Sequence, residues 1–260
     1  MLKFGFIGMG NMAQAIAVGL ISSGKVKAED IFAYAPSQDK LKGNADRIGI
    51  SPCSAPEEAV KPADMVILAC KPYQIEDVVS EIKDQLKGKA VISIAAGWQL
   101  ADYQKILDES TRVQCIMPNT PVMVGEGVLM FETDNTLEES ERAELVDIMG
   151  SMGLVIDVPA ALQGAGTAIA GCGPAYIDMI IEALGDAGVK HGLSRETSYK
   201  LASQMILGAA KLQLETGLHP GILKDRVCSP AGSTIRGVEA LEQSGIRAAM
   251  IYAVDKAAGK

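Results

Sequence analysis

The first thirteen residues constrain this chain most. Leu2-Lys3-Phe4-Gly5-Phe6-Ile7 is an apolar run of strand type. It passes directly into Gly8-Met9-Gly10-Asn11-Met12-Ala13, a G-x-G-x-x-A string that opens an apolar helical pattern. In that context Gly8 permits a tight turn and Gly10 lets the backbone approach a pyrophosphate. Ala13 keeps helix and strand close. Asn11 and Met12 supply backbone N–H groups at the positive end of the helix, where such an anion is held. A strand–turn–helix of this kind needs a parallel sheet to sit in.

The rest of the first half supplies one. Apolar runs recur at Leu2 to Ile7, Ile31 to Tyr34, Met65 to Ala69, Ala90 to Ile94, Arg112 to Met117 and Leu154 to Val158. Helical patterns such as Asn11 to Ser23, Ile75 to Leu86 and Glu138 to Met152 lie between them. Near-continuous apolar strands alternating with amphipathic helices predict a mostly parallel sheet covered on both faces. The expected fold class is therefore α/β, with a Rossmann-type dinucleotide-binding domain over residues 1–158. Thr120 to Phe131 breaks the rhythm and is expected to add an irregular edge.

After Asp157-Val158-Pro159 only helical patterns remain: Ala161 to Ala170, Pro174 to Lys190, Ser194 to Thr216, Ser233 to Gln243 and Ile246 to Ala258. Breakers separate them at Gly171-Cys172-Gly173-Pro174, Gly192, Gly217 and Gly245. Residues 159–260 thus read as an all-helical domain. Its long helices carry apolar residues on more than one face, including Met179, Ile181, Leu201, Met205 and Leu207. A domain of this size cannot bury them alone, so an obligate dimer is expected.

Composition narrows the partners. The formal net charge is −8, and no run of Lys and Arg stands out, which argues against a nucleic-acid surface. No apolar run reads as long enough to span a bilayer. The amino terminus passes straight into a strand pattern, leaving no room for a signal peptide. The five cysteines, Cys53, Cys70, Cys115, Cys172 and Cys228, form no C-x-x-C pair. No metal site or disulfide is expected, and free thiols point to the cytoplasm. His191 and His219 read as structural.

The tip of the second strand bears on the nucleotide. It reads Ala33-Tyr34-Ala35-Pro36-Ser37-Gln38-Asp39-Lys40. NAD sites usually place a carboxylate there for the ribose hydroxyls. Here there is none at the tip; Ser37 and Lys40 either receive a 2′-phosphate or serve only as a helix cap and a solvated lysine. NADPH is the expected cofactor, with NADH as the alternative. Ala69 and Lys71, followed by Pro72, are expected to contribute backbone contacts from the next strand end. Asn119, in Met117-Pro118-Asn119-Thr120-Pro121, either orients the nicotinamide or closes its turn.

The late segment Leu223-Lys224-Asp225 to Val227-Cys228-Ser229-Pro230-Ala231-Gly232-Ser233-Thr234 places small residues and hydroxyls at the head of a helix. Free N–H groups there make an anion seat, and Ser229 and Thr234 add donors. The plainer reading is capping by Ser233 or Ser229.

These motifs together resemble the pyrroline-5-carboxylate reductase family. The late segment is similar to its signature around S-P-G-G-T-T. Lys71-Pro72, Met117 to Pro121, Gly125-Glu126-Gly127 and Gly171-Cys172-Gly173-Pro174-Ala175-Tyr176 match in order. The resemblance implies a Rossmann domain with a helical domain that dimerises, assembling further into decamers in many members. It implies that Thr234 meets the nitrogen of a small cyclic imine, and that Ala231, Gly232, Ser233 and Thr234, with Ser229, hold its carboxylate. Ala231 departs from the family's first glycine, and Pro56 stands where many members carry a ribose-binding asparagine. Two rivals remain. A 3-hydroxyacid dehydrogenase needs a catalytic lysine after the Gly171 to Pro174 turn, where none follows. A non-catalytic NADP sensor needs no second anion seat. Turnover separates all three.

Overall fold

Backbone hydrogen bonding and apolar patterning build an eight-stranded sheet in the computed structural model, which describes residues 2–259. The strands are β1 (Phe4–Ile7), β2 (Ile31–Tyr34), β3 (Ser51–Pro52), β4 (Met65–Leu68), β5 (Ala90–Ser93), β6 (Arg112–Pro118), β7 (Gly127–Glu132) and β8 (Gly153–Val158). Their order is β3-β2-β1-β4-β5-β6-β7-β8. All pairs are parallel except β6 with β7.

β1, β4 and β5 are buried at every residue. Their side chains alternate between two cores, one on each face of the sheet. Phe4, Phe6, Met65, Ile67 and Ile92 enter one; Ile7, Val66, Leu68 and Val91 enter the other. The first core is covered by α1 (Asn11–Ser22), α2 (Gln38–Ile48) and α6 (Glu139–Gly150). The second is covered by α3 (Pro56–Val60), α4 (Ile75–Leu86) and α5 (Leu100–Ile106). Tyr103 of α5 is fully buried there, its hydroxyl 2.6 Å from Ser93 Oγ.

The expected irregular edge at Thr120 to Phe131 needs correction. Thr120–Val124 forms a 3-10 turn, and Gly127 begins β7, an interior strand between β6 and β8. The two prolines masked a strand whose last four residues are all buried.

By contacts the chain divides after Gly171, beyond the boundary expected at Val158. Residues 159–170 are tied to the first unit by three side chains. Gln99 Nε2 donates to Ala160 O at 3.2 Å, Gln163 Nε2 to Val158 O at 3.0 Å, and Asn119 Nδ2 to Ala170 O at 3.0 Å. Here the helix α7 (Gln163–Gly166) runs through a π-helical turn at Thr167–Gly171.

The second unit contains α8 (Gly173–Lys190), α9 (Arg195–Thr216), α10 (Pro220–Arg226), α11 (Ser233–Gln243) and α12 (Ile246–Ala257). α8 and α9 form a hairpin in which the Tyr199 ring lies against Gly185. Among the described residues of these five helices, only Gly185, Ser198 and Ala202 are buried. Met179 is 69% exposed and Leu214 72%. The expectation about membrane-spanning runs is corrected too. Ala160–Lys190 is 31 residues of helix containing an 18-residue window of mean hydropathy 1.2, long and apolar enough by length and composition to cross a membrane. Asp178, Glu182 and Asp186 repeat along it at a spacing of four, a charged stripe that hydrocarbon would penalise. The pattern fits a helix face that meets another protein surface.

Candidate active site: a nucleotide cleft and an anion-seating loop

The carboxyl ends of β1, β2 and β4 open into a cleft of about 1050 Å³. Gly8 makes the turn at its centre. Its φ is +103°, its N–H donates to Tyr34 O at 2.7 Å, and a Cβ there would stand 2.7 Å from the Ala69 carbonyl. Only glycine fits. At Gly10 a Cβ would meet nothing within 4 Å, so the backbone faces open space. The first N–H of α1 to find a carbonyl is that of Gln14, on Gly10 O at 3.0 Å. Those of Asn11, Met12 and Ala13 remain available, as pyrophosphate binding requires.

The lining has a marked charge character. It includes Lys40 and Lys71 and no aspartate or glutamate. Across the whole chain, acidic residues outnumber basic ones by 32 to 24. Neither lysine is in an ion pair among the described residues. Ser37 stands at the cap position of α2, yet its hydroxyl makes no capping bond. The Gln38 side chain braces this turn instead, donating to Ala35 O at 2.9 Å. The Ser37 hydroxyl is left free for a ligand.

Of the residues expected at the nucleotide, Gly8, Gly10, Asn11, Ser37, Lys40, Ala69 and Lys71 come together in this cleft. Met12, Pro72 and Asn119 are not among its lining residues. Met12 packs against the core. Pro72 O accepts the Trp98 indole N–H at 3.1 Å. Asn119 is 6% exposed, and its Oδ1 accepts the Val128 N–H at 2.8 Å while Nδ2 binds Ala170 O. Its side chain is engaged in closing the loop. Sequence reasoning missed Gln14, Tyr34, Asn44, Tyr73 and Gln74. Tyr34 lies in the strand tip already quoted but had no role assigned; Gln14, Asn44, Tyr73 and Gln74 lie just outside the motifs, and the sheet order brings their segments together. Cys70 also lines the cleft, where burial pushes its thiol up to about 11. It stays protonated at neutral pH and is no nucleophile.

The second unit carries the hydroxyl-rich loop. Gly232 N–H donates to Ser229 O at 3.0 Å, closing a turn. A Cβ on Gly232 would lie 2.4 Å from Ser229 Oγ, so any larger residue here would displace the Ser229 hydroxyl. Ala231 has φ +56°, the one positive-φ residue other than glycine among those described. Its carbonyl accepts from Arg236 Nη1 at 3.0 Å. Gly232, not a serine, occupies the cap of α11, with no side-chain capping bond. The hydroxyls of Ser229, Ser233 and Thr234 have no partner among the described residues. Capping does not consume them. By contrast His219 does cap, its Nδ1 accepting the Gly221 N–H at 3.1 Å.

Fold and cleft define a Rossmann-type oxidoreductase with an appended helical unit. Residues 3–97 match the family model described as NADP oxidoreductase coenzyme F420-dependent. Residues 161–260 match the one described as pyrroline-5-carboxylate reductase dimerisation. A pyrroline-5-carboxylate reductase of Treponema pallidum is 41% identical, covering 97% of each chain. That of Escherichia coli is 40% identical over 98% of this chain and 95% of its own. The solved Plasmodium falciparum pyrroline carboxylate reductase with NADP bound superposes with a TM-score of 0.88 at 32% identity, covering 99% of this chain and 96% of that one. This chain belongs to the pyrroline-5-carboxylate reductase family.

Proposed function

We propose that this protein reduces 1-pyrroline-5-carboxylate to proline, the last step of proline biosynthesis, with NADPH as donor. The observation that carries the reading is the set of unpartnered hydroxyls and first-turn N–H groups from Ser229 to Thr234 in a chain of this family. The substrate is a cyclic imine bearing a carboxylate. The N–H groups at the head of α11, with the Ser229 and Ser233 hydroxyls, seat the carboxylate. Thr234 Oγ1 meets the ring nitrogen and holds the iminium in orientation. NADPH, when bound, supplies the hydride that turns C=N into CH–NH. A protonated imine is already electrophilic, so positioning does much of the work, about 7–11 kcal/mol at best. No strong general acid is needed.

Ser37 and Lys40 favour NADPH over NADH, since a 2′-phosphate gains a hydroxyl and an unpaired ammonium there. The reading further includes a homodimer built on the second unit, assembly of dimers into a decamer, and a cytoplasmic site of action. The test is oxidation of NADPH by purified protein given pyrroline-5-carboxylate, with proline identified as product. Folded protein that oxidises neither NADPH nor NADH under these conditions would overturn the assignment.

A further inference from the structure

We propose that Tyr73 is the platform on which the adenine ring of the cofactor stacks, an inference that rests on the cofactor reading above. Tyr73 is 82% exposed yet lines the cleft. Its ring and hydroxyl have no partner among the described residues.

The turn that carries it is braced. Pro72 opens a 3-10 turn over Pro72–Gln74. Lys71 N–H donates to Gln74 Oε1 at 3.2 Å, and Gln74 N–H to Lys71 O at 2.8 Å. The Trp98 indole holds Pro72 O. An exposed aromatic on a rigid turn offers contact area at low entropic cost, as binding platforms do.

Topology says which part of the cofactor reaches it. β1 lies between β2 and β4, so the glycine turn is central and the loops after β2 and β4 flank it. Ser37 and Lys40, on the β2 side, mark the adenosine phosphate. The lining includes nothing from the loops after β5 or β6, so the cleft accommodates one nucleoside half of the cofactor. Leu41 and Val78 supply apolar wall, and Tyr73 supplies the aromatic face. The other tyrosine of the lining, Tyr34, is already packed against the core.

The test uses calorimetric binding of NADPH and of 2′,5′-ADP, which lacks the nicotinamide half, to wild type, Tyr73→Ala and Tyr73→Phe. Base–aromatic stacking predicts that Tyr73→Ala weakens both ligands by a common factor of about ten. Tyr73→Phe should restore both. The melting temperature without ligand should not move. Wild-type affinity for both ligands with Tyr73→Ala within twofold of it would overturn the platform alone. Wild type that binds neither would overturn the cofactor reading along with it.

Discussion

Ala231 holds a conformation that alanine avoids. A left-handed backbone costs an L-residue about 1–2 kcal/mol, while glycine costs about 0.5–1 kcal/mol through the freedom it adds to the unfolded chain. At φ +56° the first term exceeds the second. Ala231→Gly should therefore raise stability by up to about 1 kcal/mol, read as a higher melting temperature. Three residues on stands Thr234, the residue proposed to meet the ring nitrogen. A hydrogen bond to a charged group is worth about 1.5–3 kcal/mol, so Thr234→Ala should lower kcat/KM by roughly ten- to a hundredfold. Thr234→Ser should lose far less. Neither change should alter NADPH affinity or the melting temperature, because the hydroxyl serves no cap in α11. A drop in melting temperature with normal turnover per folded molecule would return Thr234 to a structural role.

At the scale of elements, two side chains hold the later strands in place. Asn119 satisfies Val128 N–H and Ala170 O from a nearly buried position. Asn119→Ala removes the partner of both groups, which belong to half-buried residues, so each loses about 0.5–1.5 kcal/mol of net hydrogen bonding. Urea unfolding should show a loss of about 1–3 kcal/mol, with NADPH affinity little changed. Arg112 of β6 grips Glu141 of α6 with two bonds, at 2.7 and 2.6 Å. The Arg112 hydrogen bonds, chiefly, hold the Glu141 carboxyl below its ordinary value. A depressed folded value means the stabilisation is complete above the unfolded carboxyl's pKa, about 4.3, and is lost as pH falls through the folded one. Melting temperature should thus fall on acidification below pH 5, and Glu141→Gln should flatten that fall while lowering stability at pH 7.

Elements with period-two burial or a capped apolar stripe were legible in the sequence. β1 and β4 lie where their patterns put them because burial on both faces demands continuous apolar runs, β2 because its burial alternates, and α4 because its buried Ile75, Val79, Ile82 and Leu86 recur at helical spacing. β3, α3, α5 and α10 were not anticipated. They are two to seven residues long, too short for a period to register. The cleft was legible where motif and backbone coincide, at Gly8, Gly10, Ser37 and Lys71. Asn44 and Tyr73 were hidden because neither belongs to a motif, and only the sheet order shows that their segments, far apart in the chain, face one cleft.

For the whole molecule, the second unit sets the terms. Helices with three buried residues among them do not stand alone in water. If copies of the chain cover one another's helices, stability depends on protein concentration. The melting temperature should rise as concentration is raised a hundredfold, and light scattering should find no active monomer. A stable, active monomer would remove the dimer from the proposal. The carboxylate-free cleft bears on how the molecule meets its cofactor. With a net charge of −8, the protein repels an anionic dinucleotide from afar, while Lys40 and Lys71 attract it at contact. Salt at about 0.1 M screens beyond about 10 Å, which weakens the distant repulsion before the close attraction. The rate of NADPH capture should therefore pass through a maximum as ionic strength rises, where a protein basic throughout would show only decline.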